Sequence, residues 1–222
     1  MKFMYIPSSI VIPDLLHPAD IFATKGEGIV GYASKNFTKT PYGGHTDRIH
    51  FGLIGLPKFD ILGGFTDFTT GESICKGPAL STFFEHYMGS DIEIYRMPGI
   101  SIKDGVAIFL EVSSIGRKDY GYYDYVLLTA DAVRLMFHFK FPPYTAQQLK
   151  YSANDEYLCT EEVAYAYRKR KHQIEPRGYE KIWVIPTVYL QAVEEGRLEK
   201  WYHGDLTDLY QVYTGRNYML KE

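Results

Sequence analysis

The sequence predicts an α+β protein, an antiparallel sheet with a cysteine-bearing helix packed against it. Three observations lead there: two apolar runs on either side of Pro57-Lys58, the polar–apolar alternation of Asp91 to Arg96, and an amphipathic segment that begins at Cys159. Alternation sends successive side chains to opposite faces of a strand, whereas apolar residues three and four apart form one stripe of a helix. Both periods occur in one chain. At 222 residues, with 45% hydrophobic and 23% charged residues, the chain can bury one core without division. Its 20 Tyr and 13 Phe favour strands.

In chain order, Ile21 to Ala23 reads as a first strand, after which Gly26, Gly28 and Gly31 break the pattern. A short helix is expected from Ile29 to Phe37. His50 to Leu56 and Phe59 to Leu62 read as a hairpin turning at Pro57-Lys58. Ser81 to Tyr87 looks helical, and Asp91 to Arg96 is a half-buried strand. Val106 to Val112 is too short for periodicity to separate strand from helix. Asp124 to Phe139 is the longest expected helix, stopped by Pro142 and Pro143. Cys159 to Arg170 forms the amphipathic helix, with Cys159, Val163, Ala166 and Tyr167 on one face. Ile182 to Ile185 reads as a strand closed by Pro186, and Val188 to Leu198 as a last helix.

The totals exclude several functions. A formal charge of −3 with interspersed signs gives no positive field suited to a phosphate backbone, so no nucleic acid is expected. The first twenty residues carry prolines at 7, 13 and 18 and no unbroken apolar run, which predicts neither a signal peptide nor a membrane span. A cytoplasmic protein is expected, or one carried in a particle or released by lysis. Cys75 and Cys159, the only cysteines, exclude a disulfide framework and a cysteine-rich zinc site. His45, Asp47 and His50 lack a third ligand of suitable spacing, so no metal is expected, and no cofactor. Arg168 to His172 complements the end of the helix dipole and reads as a solvated face. The glycines at 26, 28 and 31 lack the Lys-Ser or Lys-Thr of a phosphate loop.

A thiol attacks only as thiolate, and the start of a helix favours that form because unpaired backbone N–H groups point at the sulfur. Cys159 falls at such a start, followed by Glu161 and Glu162, which helical spacing turns away from it. His50 opens an apolar strand after a polar loop, where it can overlook a cleft and act as base. Taken alone, a helical cysteine and a strand histidine are more often core residues.

The series Ala19-Asp20-Ile21-Phe22, His50-Phe51-Gly52-Leu53-Ile54, Asp91 to Arg96, Tyr123-Asp124 and Tyr157 to Val163 resembles the permuted papain-like hydrolases. These are the YiiX and YaeF branch of the NlpC-type superfamily, in which a "GDI" strand, an "HVGI" strand and a "CSELV" helix occur in this order. The resemblance implies a permuted papain-like fold over all 222 residues, with a core of about 17–187 and a C-terminal extension of 188–222. It assigns Cys159 as nucleophile and His50 as general base, with Asp20 shaping a turn and Thr160 and Glu161 following the cysteine.

The family places a polar residue on the strand after the histidine to orient its ring, and the matching positions are Leu62 or Gly63, which cannot do so. Asp60, Thr66 and Asp67 are substitutes, Asp67 being the best placed if the hairpin turns at Pro57-Lys58. The implied activity is a thiol hydrolase or acyltransferase at an amide or ester bond, with a peptide or acyl-amide substrate such as a cell-wall peptide or N-acyl compound. The alternative is a degenerate member serving as a binding or structural component of a larger assembly, for which the missing orienter and the aromatic tail from Trp201 to Tyr218 would suit. A small-ligand carrier with Cys159 as core filler is a further alternative.

Overall fold

A computed structural model describes residues 16–26, 35–36, 38–74, 77–115, 144–148, 158–178 and 184–214. The strands are β1 (Ile21–Lys25), β2 (Arg48–Phe59), β3 (Phe65–Ile74), β4 (Gly77–Thr82), β5 (Asp91–Arg96) and β6 (Glu199–Asp205). The helices are α1 (Phe83–Tyr87), α2 (Ile102–Ser114), α3 (Cys159–Lys169), α4 (Pro186–Glu194) and α5 (Leu206–Thr214). The strands form one antiparallel sheet in the order β4-β3-β2-β1-β5-β6, so the protein is α+β. The helix expected over 124–139, most of that over 29–37, and Cys75 lie outside the described residues.

Helices cover both faces of the sheet. On one face Ile21, Ala23, Phe51, Leu53 and Tyr95 pack with α2, α3 and α4. On the other, Phe22, Ile54, Phe68, Ile92 and Ile94 pack with α1 and α5. A strand buried on both sides needs apolar residues at consecutive positions, which is why β1 reads Ile-Phe-Ala rather than alternating. Burying the Phe22 side chain alone contributes roughly 2–3 kcal/mol.

The short run around Val106 is helical. Ser101 caps it, its side chain accepting from the Asp104 N–H at 3.1 Å, and Ile108, Phe109 and Val112 then face the core at helical spacing. Pro186 opens α4 at its first turn, since a helix start tolerates a missing N–H, and the first half of the strand expected over 182–185 lies outside the described residues. Val184 and Ile185 are buried in irregular chain.

The hairpin turns later than the sequence suggests. β2 continues through Pro57 to Phe59, and the chain reverses over 60–64, where the Asp60 carboxylate accepts from the N–H groups of Leu62 and Gly64 at 2.8 Å. Gly63 supplies the left-handed residue, at φ 80°. Pro57 is tolerated because the β2–β3 register shifts between Ile54 and Pro57, and because β1 pairs with β2 only as far as Leu53.

Residues 188–214 pack into the same sheet and cores. Val188, Tyr189 and Ala192 are buried in the first core, β6 is the sixth strand, and α5 closes the second core. Two of the tail aromatics belong to that packing: Tyr210 lies 4.9 Å from Phe84 between ring centroids, and Tyr213 lies 5.5 Å from Phe65.

Candidate active site

Leu158, in extended conformation, precedes the first turn of α3; its N–H donates to Glu161 Oε2 at 3.2 Å, and its carbonyl accepts from Glu162 N–H at 3.0 Å. Cys159 is therefore the first helical residue, where backbone N–H groups have no acceptor within the helix. Val163, Ala166 and Tyr167 anchor the helix in the core, and the Tyr189 hydroxyl donates to the Thr160 carbonyl at 2.6 Å. The sulfur is nearly buried, and the thiol faces the Ile49 carbonyl of β2 at 3.5 Å. His50, the next residue of that strand, lies near enough to this sulfur for the two side chains to interact. The structure thus brings together the two residues singled out in the sequence.

His50 Nε2 donates to Glu72 Oε2 at 2.6 Å and lies 3.1 Å from the Tyr87 hydroxyl. This leaves Nδ1 as the ring nitrogen free to serve the sulfur. Glu72 stands on β3 opposite Gly52 of β2, its side chain only 1% exposed. Its carboxylate accepts further hydrogen bonds from Tyr87, Ser81 and Thr70, the last at 3.1 Å. A Cβ on Gly52 would come within 2.5 Å of the Phe22 ring and 3.0 Å of Glu72 Cβ, so the glycine makes room for that ring beside the Glu72 side chain.

Asp67 does not orient His50. It pairs with Lys58, and its buried carboxylate accepts from Phe84 N–H at 2.8 Å and Glu85 N–H at 3.0 Å, fixing the start of α1. The expectation failed because it placed the turn at Pro57-Lys58. With the reversal at 60–64, the residue on β3 that reaches His50 is Glu72. Leu62, Asp60 and Gly63 all belong to the turn itself, and Thr66 donates to the Lys58 carbonyl.

Glu162 also departs from expectation. It is wholly buried and lies beside Glu72 and His50, not turned away from the site. Glu161 caps the helix. Asp20 does shape a turn: it accepts from His17 N–H at 2.7 Å and binds Arg96 through both oxygens, at 2.8 and 2.6 Å. Ala19 sits before it at φ 71°, a conformation that favours glycine.

Burial works against a charged imidazole, but the interactions with Cys159 and with the Glu72 carboxylate outweigh it, raising His50 to about 10. Burial likewise opposes the Glu72 carboxylate. Hydrogen bonds from His50, Ser81 and Tyr87, with the His50 charge, win and hold it at about 2. At neutral pH the geometry therefore supports an imidazolium beside the Glu72 carboxylate. Tyr87 is pushed well above its ordinary value by burial and by Glu72, so it stays a donor.

Among the described residues no group of three His, Cys, Asp or Glu stands close enough to hold a metal ion. Nor is any helix long and apolar enough to cross a membrane. The chain matches no protein-family model and no curated protein.

Three consequences are measurable. Replacing Glu72 by Ala strands a buried imidazolium and is expected to cost about 3–5 kcal/mol in denaturant unfolding. Asp67→Ala is expected to cost about 2 kcal/mol through the exposed start of α1 while leaving Cys159 reactivity as it is. The His50 contribution is fully present below its ordinary value of 6.5 and is lost as pH rises through about 10. Unfolding free energies across that window are expected to decline in the wild type and to decline less in the Glu72 variant.

Proposed function

We propose that this protein is a thiol hydrolase or acyltransferase acting on an amide or ester bond, with a fold of the permuted papain-like type. The observation that carries the proposal is the line Cys159–His50–Glu72, a sulfur at a helix start beside an imidazole that is hydrogen-bonded to a buried carboxylate. Chain order supports the fold reading. A turn with a buried aspartate, a histidine strand, an orienting strand and a cysteine helix follow one another, the reverse of the papain order of cysteine before histidine. Role and geometry, not order, define such a site.

The thiolate of Cys159 attacks the substrate carbonyl carbon, forming a carbon–sulfur bond and an oxyanion. First-turn N–H groups of α3 are the donors available to that oxygen. The His50 imidazolium gives its proton to the leaving amine or alcohol as the bond to it breaks. Water, or a second nucleophile in acyl transfer, then loses a proton to His50, attacks the thioester and releases the thiolate. Glu72 holds the ring and its charge in place throughout. A peptide or N-acyl amide is the substrate class that the family resemblance points to.

The test is alkylation and acylation followed by mass spectrometry. Iodoacetamide at pH 6 is expected to label Cys159 at least about tenfold faster than Cys75, since only a thiolate reacts readily. His50→Ala is expected to remove that difference. An activated ester is expected to leave an acyl group on Cys159 that turns over in the wild type. Equal slow labelling of both cysteines, with no acyl adduct, would favour the structural-component reading instead.

A further inference from the structure

Glu162 stands one helical turn beyond Cys159, on the side of α3 that faces β2 and β3. It is 0% exposed, and neither carboxyl oxygen makes a hydrogen bond of normal geometry. Around it are Cys159 on its own helix, His50 on β2, and Glu72 with the Ser73 hydroxyl on β3. The side of α2 packed against α3 offers Ile108, Phe109 and Val112, and the α2 carboxylate Glu111 is paired with Arg170 near the opposite end of α3. A carboxylate in such a place would be both desolvated and repelled by Glu72, and the one cation nearby among the described residues, His50, already serves Glu72.

We propose that Glu162 is a positioning residue, a neutral acid behind the Cys159–His50–Glu72 line whose ionisation sets the alkaline limit of Cys159 reactivity. This inference rests on the reading of Cys159 as nucleophile. While protonated, Glu162 leaves the imidazolium to Glu72 and the sulfur. Once its proton goes to solvent, a second buried carboxylate competes for the same cation and repels Glu72, drawing the ring out of line with the thiolate. Burial, reinforced by the charge of Glu72 and only partly countered by His50 and Ser73, raises Glu162 to about 8. That lies below the value of about 10 at which His50 itself would lose its proton. The alkaline limit should therefore follow the glutamic acid and not the histidine.

The linkage has a defined sign. An acid whose folded value is raised loses stability for the protein as pH climbs from its ordinary 4.5 through about 8, because the folded state alone keeps the proton. Neutral replacements remove that loss.

The experiment measures the iodoacetamide rate at Cys159 from pH 5 to 10, each protein scaled to its own rate at pH 6. Wild type is expected to lose at least about half of its reactivity around pH 8, whereas Glu162→Gln shows no such fall. Thermal midpoints over the same range are expected to fall more steeply in wild type than in the variant. Should Glu162→Gln fold poorly, Glu162→Met, also neutral and of similar length, replaces it in both measurements. Superimposable profiles, in rate and in thermal midpoint, overturn the inference while leaving the nucleophile reading intact. Labelling of Cys159 no faster than Cys75 in either protein overturns the nucleophile reading, and this inference with it.

Discussion

A carboxylate taken almost wholly out of water has to be met by a cation and by enough hydrogen-bond donors, and Glu72 is met by both. His50 supplies the charge, and Tyr87, Thr70 and Ser81 supply the donors. Much of the surrounding structure serves this one requirement. Gly52 clears the space opposite Glu72, α1 brings Tyr87 over it, and Asp67 fixes the start of α1. The imidazole is consequently held by its Nε2, beside Cys159.

The two-sided sheet explains how segments distant in the chain meet so closely. β1 lies at the centre, paired with β2 on one side and β5 on the other, and β2 carries His50 at the end where α3 begins. The cysteine helix is pinned independently. Tyr167 donates to the Ala19 carbonyl at 2.6 Å, and Tyr189 donates to Thr160. Asp20 and Arg96 lock the turn that leads into β1, tying β1 to β5. Sulfur and imidazole are thus each fixed by packing that does not depend on the other, the condition a pre-arranged nucleophile and base require.

Part of this was legible in the residues. The alternation of Asp91 to Arg96 coincides with β5, and the amphipathic spacing after Cys159 coincides with α3, because each element is long and periodic enough to declare itself. Glu72 was hidden by a register error. Pro57-Lys58 resembles a turn, yet the stronger turn chemistry lies in Asp60-Ile61-Leu62-Gly63-Gly64, where an aspartate side chain and a left-handed glycine close the loop. Moving the turn by a few residues changes every partner across the hairpin. The polar residues Thr70 and Glu72, two apart in a strand that also carries Phe68, were the available sign of a buried polar face. Glu162 was misplaced for a different reason: charge suggests solvent, and nothing in one sequence announces a buried acid without a partner. The C-terminal aromatics looked exposed because their packing partners, Phe65 and Phe84, lie far away in the chain.

The central claim is that His50 is a cation at neutral pH, held between Glu72 and Cys159. Nitrogen-detected NMR of the His50 ring across pH 5 to 11 tests it without any substrate. The account predicts two protonated ring nitrogens through neutrality and a single transition near pH 10, moved down when Glu72 is replaced by Gln. A neutral ring above pH 7, titrating near the ordinary histidine value whether or not Glu72 is present, would contradict it.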